Sequence, residues 1–241
     1  MVEIFNEDCF KVMDKFIENK RLFDAIIVDP PYNINFSNLD WDKKFNIELA
    51  IEMCSKIIKE NGNLIIFQGW SNICNTKMYL DKFFNIQNWI IYDRIKGRGS
   101  KKNVVSTRED ILWYCNGTSP TFNKIYSNIP KKTKGMGTKN GQANRALTNV
   151  WYDLSPLVPW SKERNGHPTQ KSVQLMERIV TLFTNVGDDV LDFAMGSGST
   201  GEACKNLNRN FVGIEKEYEW FNIAEKRLLP HPVYGVENTD V

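Results

Sequence analysis

Apolar and polar positions follow two different periods along the N-terminal half of the chain. Continuous apolar runs, DAIIVD (24–29) and NLIIFQ (63–68), predict strands that are covered on both faces of a parallel sheet. Apolar residues three and four positions apart, as in DCFKVMDKFIE (8–18), predict helices with one buried face. The amphipathic segment at 46–60 is expected to end at Asn61-Gly62, because this pair favours a helix terminus.

The same periods continue through most of the remaining chain. Strands are predicted at 2–5, 88–95 and 109–116, and a helix at about 72–83. The strand at 109–116 is expected to run antiparallel to its predecessor at a sheet edge. After residue 165 the pattern predicts, in order, a helix at 172–186, a strand at 189–193, a helix at 198–208, a strand at 211–215 and a helix at 218–229. Repeated strand–helix units predict an α/β fold with a doubly wound, mostly parallel sheet.

Residues 117–165 interrupt this pattern and are rich in Lys, Gly, Asn and Thr, which predicts a long loop or a small irregular insertion. Twelve Lys or Arg but only two acidic residues lie between Arg94 and Arg145. With a net charge of +2 for the chain, this window carries +10 and the other residues carry −8. Such segregation favours contact with a polyanion, although a solvated lysine-rich loop explains the same composition.

Composition limits the class of protein further. At 241 residues with 41% hydrophobic, the chain is long enough for one large domain with a substantial core. No apolar run is long enough to span a membrane, and the N-terminus lacks the features of a signal peptide, so we expect a cytoplasmic location. Five scattered cysteines and two histidines favour reduced thiols and predict no metal site.

A glycine-rich turn follows the strand in VLDFAMGSGSTGEAC (190–204) and opens a helix. Glu215 closes the next strand, seventeen residues after Gly198. In Rossmann-like units glycines let the backbone approach a ligand, and such an acid accepts hydrogen bonds from ribose hydroxyls. An adenosine-containing cofactor is therefore expected, and this motif alone leaves a dinucleotide and S-adenosylmethionine as alternatives.

The strand at 24–29 ends in Asp29-Pro30-Pro31-Tyr32. Strand C-termini in open α/β sheets face the ligand crevice, so these residues belong near an active site. The prolines lack amide donors, which leaves a carbonyl beside a carboxylate as two acceptors for an –NH₂ group. The aromatic ring can stack on a base. A third segment, HPTQKS (167–172), precedes a helix and can bind a carboxylate or simply cap that helix.

Together, DPPY (29–32), HPTQK (167–171) and DFAMGSGST (192–200) resemble the S-adenosylmethionine-dependent amino-methyltransferases of DNA, and their order resembles the β class. The resemblance implies a seven-stranded, circularly permuted Rossmann-like methyltransferase sheet with a small basic target-recognition insert. It divides the chain into a catalytic half (1–116), the insert (117–165), a cofactor-binding half (166–230) and a tail (231–241). The segments IFNEDCF and REDILWYCNG resemble further parts of the same family.

The resemblance also implies roles for individual residues. Asp29, Pro30, Pro31 and Tyr32 would hold an extruded target base, with Tyr32 stacking on it. The implied cofactor-binding residues are Asp8, Cys9, Asp29, His167, Thr169, Gln170, Lys171, Asp192, Ala194, Gly196, Ser197, Gly198, Ser199, Thr200 and Glu215, with Glu215 on the ribose. One departure concerns Phe193-Ala194, where the family usually has Pro-Phe after the Asp. Trp41 and Asp42 are expected on a loop over the site or on a simple surface loop.

The expected partner is double-stranded DNA, which the basic segment would bind mainly through phosphates. Its candidate residues are Arg94, Lys96, Arg98, Lys101, Lys102, Arg108, Lys131, Lys132, Lys134, Lys139 and Arg145. A cognate restriction endonuclease is a further candidate partner, no membrane is expected, and the protein would be a monomer or homodimer.

The predicted reaction is methyl transfer from S-adenosylmethionine to N6 of adenine, because the family's N4-cytosine members more often carry Ser where this chain has Asp29. Four alternatives stay open: an N4-cytosine enzyme, an RNA or protein-amine methyltransferase, an NAD-dependent oxidoreductase with the same glycine-rich turn, and a non-catalytic DNA-binding module. The oxidoreductase alternative leaves DPPY, HPTQK and the basic segment unexplained.

Overall fold

The computed structural model describes residues 1–33, 45–98, 102–130, 144–158 and 160–229. Its helices are α1 Cys9–Glu18, α2 Ile47–Ile57, α3 Ile73–Leu80, α4 Val173–Phe183, α5 Ser199–Asn206 and α6 Tyr218–Leu228. Its strands are β1 Val2–Phe5, β2 Phe23–Val28, β3 Ile58–Gln68, β4 Asn85–Arg98, β5 Ser106–Cys115, β6 Tyr126–Pro130, β7 Asn144–Ala146, β8 Val150–Trp151, β9 Asp189–Asp192 and β10 Asn210–Ile214. Most predicted elements are present within a few residues of their expected bounds.

In these residues one large sheet has the strand order β1-β10-β9-β2-β3-β5-β4-β8. The first five strands in this order are parallel neighbours, whereas β5 is antiparallel to both β3 and β4. Strand β8 pairs with β4 in parallel, and β6 and β7 form a separate antiparallel pair. The predicted mostly parallel α/β sheet is confirmed.

Alternate residues of β2 show that both faces of the sheet are covered. Ile26 and Val28 belong to a core cluster with α1 and α2, while Ala25 and Ile27 belong to a second cluster with α4. All four side chains are fully buried. The apolar run of β2 is therefore continuous because helices cover the strand on both faces of the sheet, as predicted.

Three details of the predicted elements and their order are wrong. The described sheet has eight strands instead of seven, because β8 comes from the expected insert and is too short to show any periodicity. Strand β5 was expected at an edge and instead lies between β3 and β4, with β8 outermost. Helix α2 ends at Ile57 instead of near residue 60, since Ile58 pairs with Phe23 of β2. Asn61, with a φ of 60°, lies within β3 and does not cap the helix.

Within the described residues, no helix is both long and apolar enough to cross a membrane. The same residues contain no group of three or more His, Cys, Asp or Glu that could hold a metal ion. All five cysteines have free thiols.

Candidate active site

A cavity of about 340 Å³ lies at the carboxyl ends of β9, β10, β1 and β2. Its lining includes fourteen of the fifteen residues that were predicted to bind a cofactor: Asp8, Cys9, Asp29, His167, Thr169, Gln170, Lys171, Asp192, Ala194, Gly196, Ser197, Ser199, Thr200 and Glu215. These residues come from both ends of the chain, because β1 lies beside β10. The parallel sheet thus gathers them at a single edge, as expected for a ligand crevice in this class of fold.

Gly198 is the exception, and its predicted contact with the cofactor is not supported by the cavity lining. It precedes α5 with a φ of 81°, in the left-handed region that favours glycine. A Cβ atom there would lie 3.2 Å from both Ala224 Cβ and Leu228 Cδ1. Gly198 therefore allows α5 to start close to α6, whereas Gly196, with a φ of 51°, does line the cavity.

Two carboxylates hold the glycine-rich turn in place. Asp192 is buried, and it accepts hydrogen bonds from Thr200 Oγ1 at 2.6 Å and from the amide of Ala194 at 3.1 Å. Burial raises the pKa of Asp192 to about 7. Glu215 accepts from the amides of Gly196 at 2.9 Å and Glu217 at 2.8 Å, and burial also raises its pKa. Glu215 therefore shapes the turn in addition to facing the cavity.

The segment before α4 supplies the opposite wall of the cavity. The ring of His167 packs edge-on against Trp220 with centroids 4.6 Å apart. Burial, assisted by the positive charge of Lys171, lowers the pKa of His167 to about 4, so that the imidazole is neutral at physiological pH. The side-chain Nε2 of Gln170 donates to Glu163 O at 2.8 Å and fixes the loop, while Ser172 Oγ caps α4 by accepting from Leu175 N at 3.3 Å.

The DPPY residues lie directly after β2. Asp29 Oδ1 accepts a hydrogen bond from Tyr32 Oη at 2.5 Å, and Asp29 and Pro31 line the cavity. Pro30 is buried, and neither Pro30 nor Tyr32 is part of the cavity lining. The Tyr32 ring lies against Gly69, where a Cβ atom would be 3.2 Å from Tyr32 Cδ2. Burial and the charge of Asp29 raise the pKa of Tyr32, which keeps its hydroxyl protonated as a donor.

Lys171 contacts carboxylates of the protein itself. Its Nζ lies 2.6 Å from Asp29 Oδ2 and 3.2 Å from Glu109 Oε2. Burial alone would lower the pKa of Lys171, but the two carboxylates outweigh it and raise the pKa, so the ammonium stays charged. Arg94 Nη1 lies 3.5 Å from Glu109 Oε1. Asp29, Lys171, Glu109 and Arg94 thus form a row of four alternating charges.

Sequence reasoning missed Glu109, which it counted only as one of two acids in a basic window. It also missed an aromatic wall of the cavity. Phe45 stacks on Phe10 at 5.5 Å and on Phe193 at 6.2 Å, and all three rings line the cavity. The Phe193-Ala194 departure from the family pattern thus places a ring in this wall. Phe45 belongs to no motif that the sequence shows, and it lies far from the glycine-rich turn in the chain. Its contact with Phe193 therefore could not be expected from the sequence.

The predicted DNA-binding residues are only partly within the described structure. Lys101, Lys131, Lys132, Lys134 and Lys139 lie outside the described residues, as do Trp41, Asp42 and the side chains of Lys96 and Arg98. Arg108 Nε forms an ion pair with Asp110 Oδ2 at 3.1 Å, Lys102 is exposed and Arg145 is half-buried. Carboxylates of the protein therefore partly neutralise the charges of Arg94 and Arg108. Phosphate binding by the predicted DNA-binding residues stays a prediction.

Comparison with known proteins gives a consistent result. The model of the DNA methylase family, which covers N6 and N4 types, matches residues 23–226. The Type II methyltransferase M1.MboII of Moraxella bovis is 34% identical over 92% of this chain and 94% of its own length. The Type II methyltransferase M.HpaI of Haemophilus parainfluenzae is 31% identical over 92% of this chain and 72% of its own length.

Among solved structures, the complex of M1.HpyAVI with S-adenosylmethionine superimposes with a TM-score of 0.70. It shares 33% sequence identity and covers 95% of this chain and 100% of its own. The family match extends over both the DPPY segment and the glycine-rich turn, which decides against the oxidoreductase alternative. The chain belongs to the family of N6- and N4-type DNA methylases.

Proposed function

We propose that this DNA methyltransferase transfers a methyl group from S-adenosylmethionine to N6 of an adenine extruded from duplex DNA. The observation that carries the proposal is the position of Asp29 and Tyr32. Both follow β2; Asp29 lines the cavity, and the Tyr32 hydroxyl donates to Asp29 Oδ1. A carboxylate that accepts the hydrogens of an exocyclic amine thereby stands beside the expected position of the methyl donor.

The cavity residues fit S-adenosylmethionine in chemical type. Phe10, Phe45 and Phe193 offer an apolar wall for a purine ring, and Glu215 and Asp8 offer acceptors for hydroxyl groups. The relative whose structure contains S-adenosylmethionine supports this choice. When bound, the cofactor supplies an electrophilic methyl group on a sulfonium.

Asp29 and the carbonyl of Pro30 orient the nucleophile. The lone pair of an adenine amine is delocalised into the ring, which makes the amine a poor nucleophile. Two acceptors for its hydrogens favour a pyramidal nitrogen whose lone pair points at the methyl group. Most of the acceleration would come from this orientation and from electrostatic stabilisation of the charge that develops on the nitrogen.

The substrate base has to leave the helix, since its amine is inaccessible inside a duplex. Tyr32 is the residue proposed to stack on the extruded base, and unstacking costs a few kcal/mol. Phosphate contacts from the basic segment between Arg94 and Arg145 would offset that cost. The segment 117–165 is proposed as the target-recognition part, and the Type II relatives support methylation of a specific sequence.

Adenine and cytosine both carry an exocyclic amine, and the family contains both types. Asp29 favours adenine through the resemblance, because the cytosine members more often have Ser at that position. Plasmid DNA incubated with the protein and cofactor, digested to nucleosides and weighed by mass spectrometry, is expected to contain N6-methyladenine. N4-methylcytosine in its place would contradict the adenine assignment, and sequencing of the modified positions would give the recognition site.

A further inference from the structure

Both carboxylate oxygens of Asp29 are occupied in the structure. Tyr32 Oη donates to Oδ1 at 2.5 Å, and the Lys171 ammonium lies 2.6 Å from Oδ2. Each carboxylate oxygen has a second lone pair, so a substrate amine that bonds to Asp29 either adds to these contacts or takes the place of one of the two groups. Displacing a buried ammonium into a place without a partner would be costly, so the lysine can move only where another anion is available.

Glu109 provides such an anion. Its Oε1 is paired with Arg94 Nη1 at 3.5 Å, and its Oε2 is buried. Among the described residues Oε2 accepts no hydrogen bond of good geometry, although the Lys171 ammonium is 3.2 Å away. A buried carboxylate oxygen that accepts no well-aligned hydrogen bond is rare in folded proteins and calls for an explanation.

We propose that Glu109 is a positioning residue that receives the Lys171 ammonium when the substrate amine takes Asp29 Oδ2. The inference rests on the proposed function, since it requires an amine at Asp29. A small movement of Nζ breaks the ion pair with Asp29 Oδ2 and shortens the existing one with Glu109 Oε2, now 3.2 Å. Lys171 stays over the ring of Phe67, whose centroid is 5.0 Å from Nζ.

The charges of the four groups explain why such a movement is easy. Arg94 and Lys171 are cationic, Asp29 and Glu109 are anionic, and the four side chains are largely buried. The movement leaves their total charge unchanged, so that no isolated charge is created in the interior. Glu109 is absent from the cavity lining and would act only through Lys171.

The kinetic test compares Glu109→Gln with Glu109→Asp. Glutamine keeps the size of the side chain but loses its charge, so Lys171 would remain on Asp29. We expect kcat to fall about 10- to 100-fold, by analogy with groups that orient metal ligands in other proteins, with the Kd for S-adenosylmethionine unchanged within about twofold. Aspartate retains the charge and is expected to restore part of kcat.

Asp24→Asn is the matched control, because Asp24 lies in β2 at the end remote from Asp29, and it pairs with Lys59 at 2.8 Å. Its kcat should equal that of the wild type. A Glu109→Gln variant that keeps the wild-type kcat overturns the proposal. The proposal is also overturned if Glu109→Gln and Glu109→Asp lose the same amount of kcat, the same amount of cofactor affinity and the same amount of Tm. That result would mark a purely structural role for Glu109.

A crystal structure of the wild-type protein with S-adenosylhomocysteine and its DNA substrate gives a direct test. We expect Lys171 Nζ within about 3 Å of Glu109 Oε2 and beyond about 4 Å from Asp29 Oδ2. Displacement of the Tyr32 hydroxyl, with Lys171 still on Oδ2, would overturn the proposal. The rates are measured on whichever base the wild type methylates. A wild type that methylates no DNA base contradicts the proposed function itself, before any variant is compared.

Discussion

The rings of Phe45 and Phe193 lie nearly parallel, with centroids 6.2 Å apart and an interplanar angle of 8°. Phe193 directly follows β9, and Phe45 precedes α2, so the pair joins two separate parts of the chain at the cavity. An aromatic wall at this place suits a flat purine ring. The residue that departs from the usual family pattern therefore contributes to the wall.

Replacing Phe45 with leucine tests that wall. The Phe45→Leu variant keeps an apolar side chain but loses the ring proposed to contact the purine, and an aromatic pair is worth about 0.5–1.5 kcal/mol beyond burial. We expect the Kd for S-adenosylmethionine, measured by calorimetry, to rise about 3- to 10-fold. Phe122→Leu is the control, because Phe122 stacks on Trp113 and does not line the cavity. An unchanged Kd for Phe45→Leu would show that the wall does not contact the cofactor.

Asp29→Asn tests the acceptor for the substrate amine. The amide keeps the size of the side chain but replaces one acceptor oxygen with an –NH₂ donor, which would face the amine of the base. Loss of one such preorganised interaction typically costs about 10²- to 10³-fold in rate, and we expect a loss of this size in single-turnover methylation with cofactor saturating. A variant that methylates DNA at the wild-type rate with bound cofactor would remove Asp29 from the mechanism.

The buried Asp192 predicts a pH dependence of stability in the protein without cofactor. Its pKa is about 7 in the folded protein, above the ordinary value of 3.8. The folded state thus holds a proton that the unfolded chain releases, and the stabilisation is complete below about pH 4 and is lost as the pH rises to 7. The free energy of unfolding by urea should fall over this range and then level off.

Asp192→Asn separates this effect from other titrations, because an amide does not ionise. The slope between pH 4 and 7 should become smaller in the variant. It should not vanish, since burial raises the pKa of Glu215 in the same direction. An identical slope in variant and wild type would mean that Asp192 does not titrate in this range.

Binding to duplex DNA should depend steeply on salt. If the basic segment contacts phosphates, neutralising three of its lysines removes about that many counterion-release contacts. The slope of log K against log salt is negative. In the triple variant Lys131→Gln, Lys132→Gln, Lys134→Gln its magnitude is expected to decrease by about 2–3. The control Lys11→Gln, Lys15→Gln, Lys20→Gln makes the same change in charge outside the segment and should keep the slope. Equal slopes for all three proteins would exclude a phosphate-binding role for these lysines.

Fourteen of the fifteen residues proposed to bind the cofactor line one cavity, and most of them could be named because they lie in short contiguous motifs. The turn after β9 and the segment before α4 each carry several cavity residues in a row. Gly198 is the one member of that set that does not line the cavity. Its spacing fits a ligand-binding glycine, but its neighbours Ala224 and Leu228 belong to a helix that starts twenty residues later.

The ion pair between Lys171 and Glu109, next to Asp29, could not be predicted in the same way. Glu109 and Lys171 are more than sixty residues apart in the chain, and they meet because β5 lies inside the sheet. The sequence pattern placed that strand at an edge, where an acidic side chain would be solvated. Pairing order in a sheet depends on contacts between distant segments, and a periodic pattern does not report those contacts.

The position of β1 beside β10 has a consequence for the order of events during synthesis. In the described part of the chain, β1 has β10 as its single sheet neighbour, and the amide of Phe211 donates to the carbonyl of Met1. At about 5–20 residues per second, a ribosome needs roughly 10 to 40 s to proceed from one strand to the other. Throughout that interval the first strand has no backbone partner. The pocket walls contributed by Asp8 and Cys9 are therefore the first to be translated and among the last to be assembled.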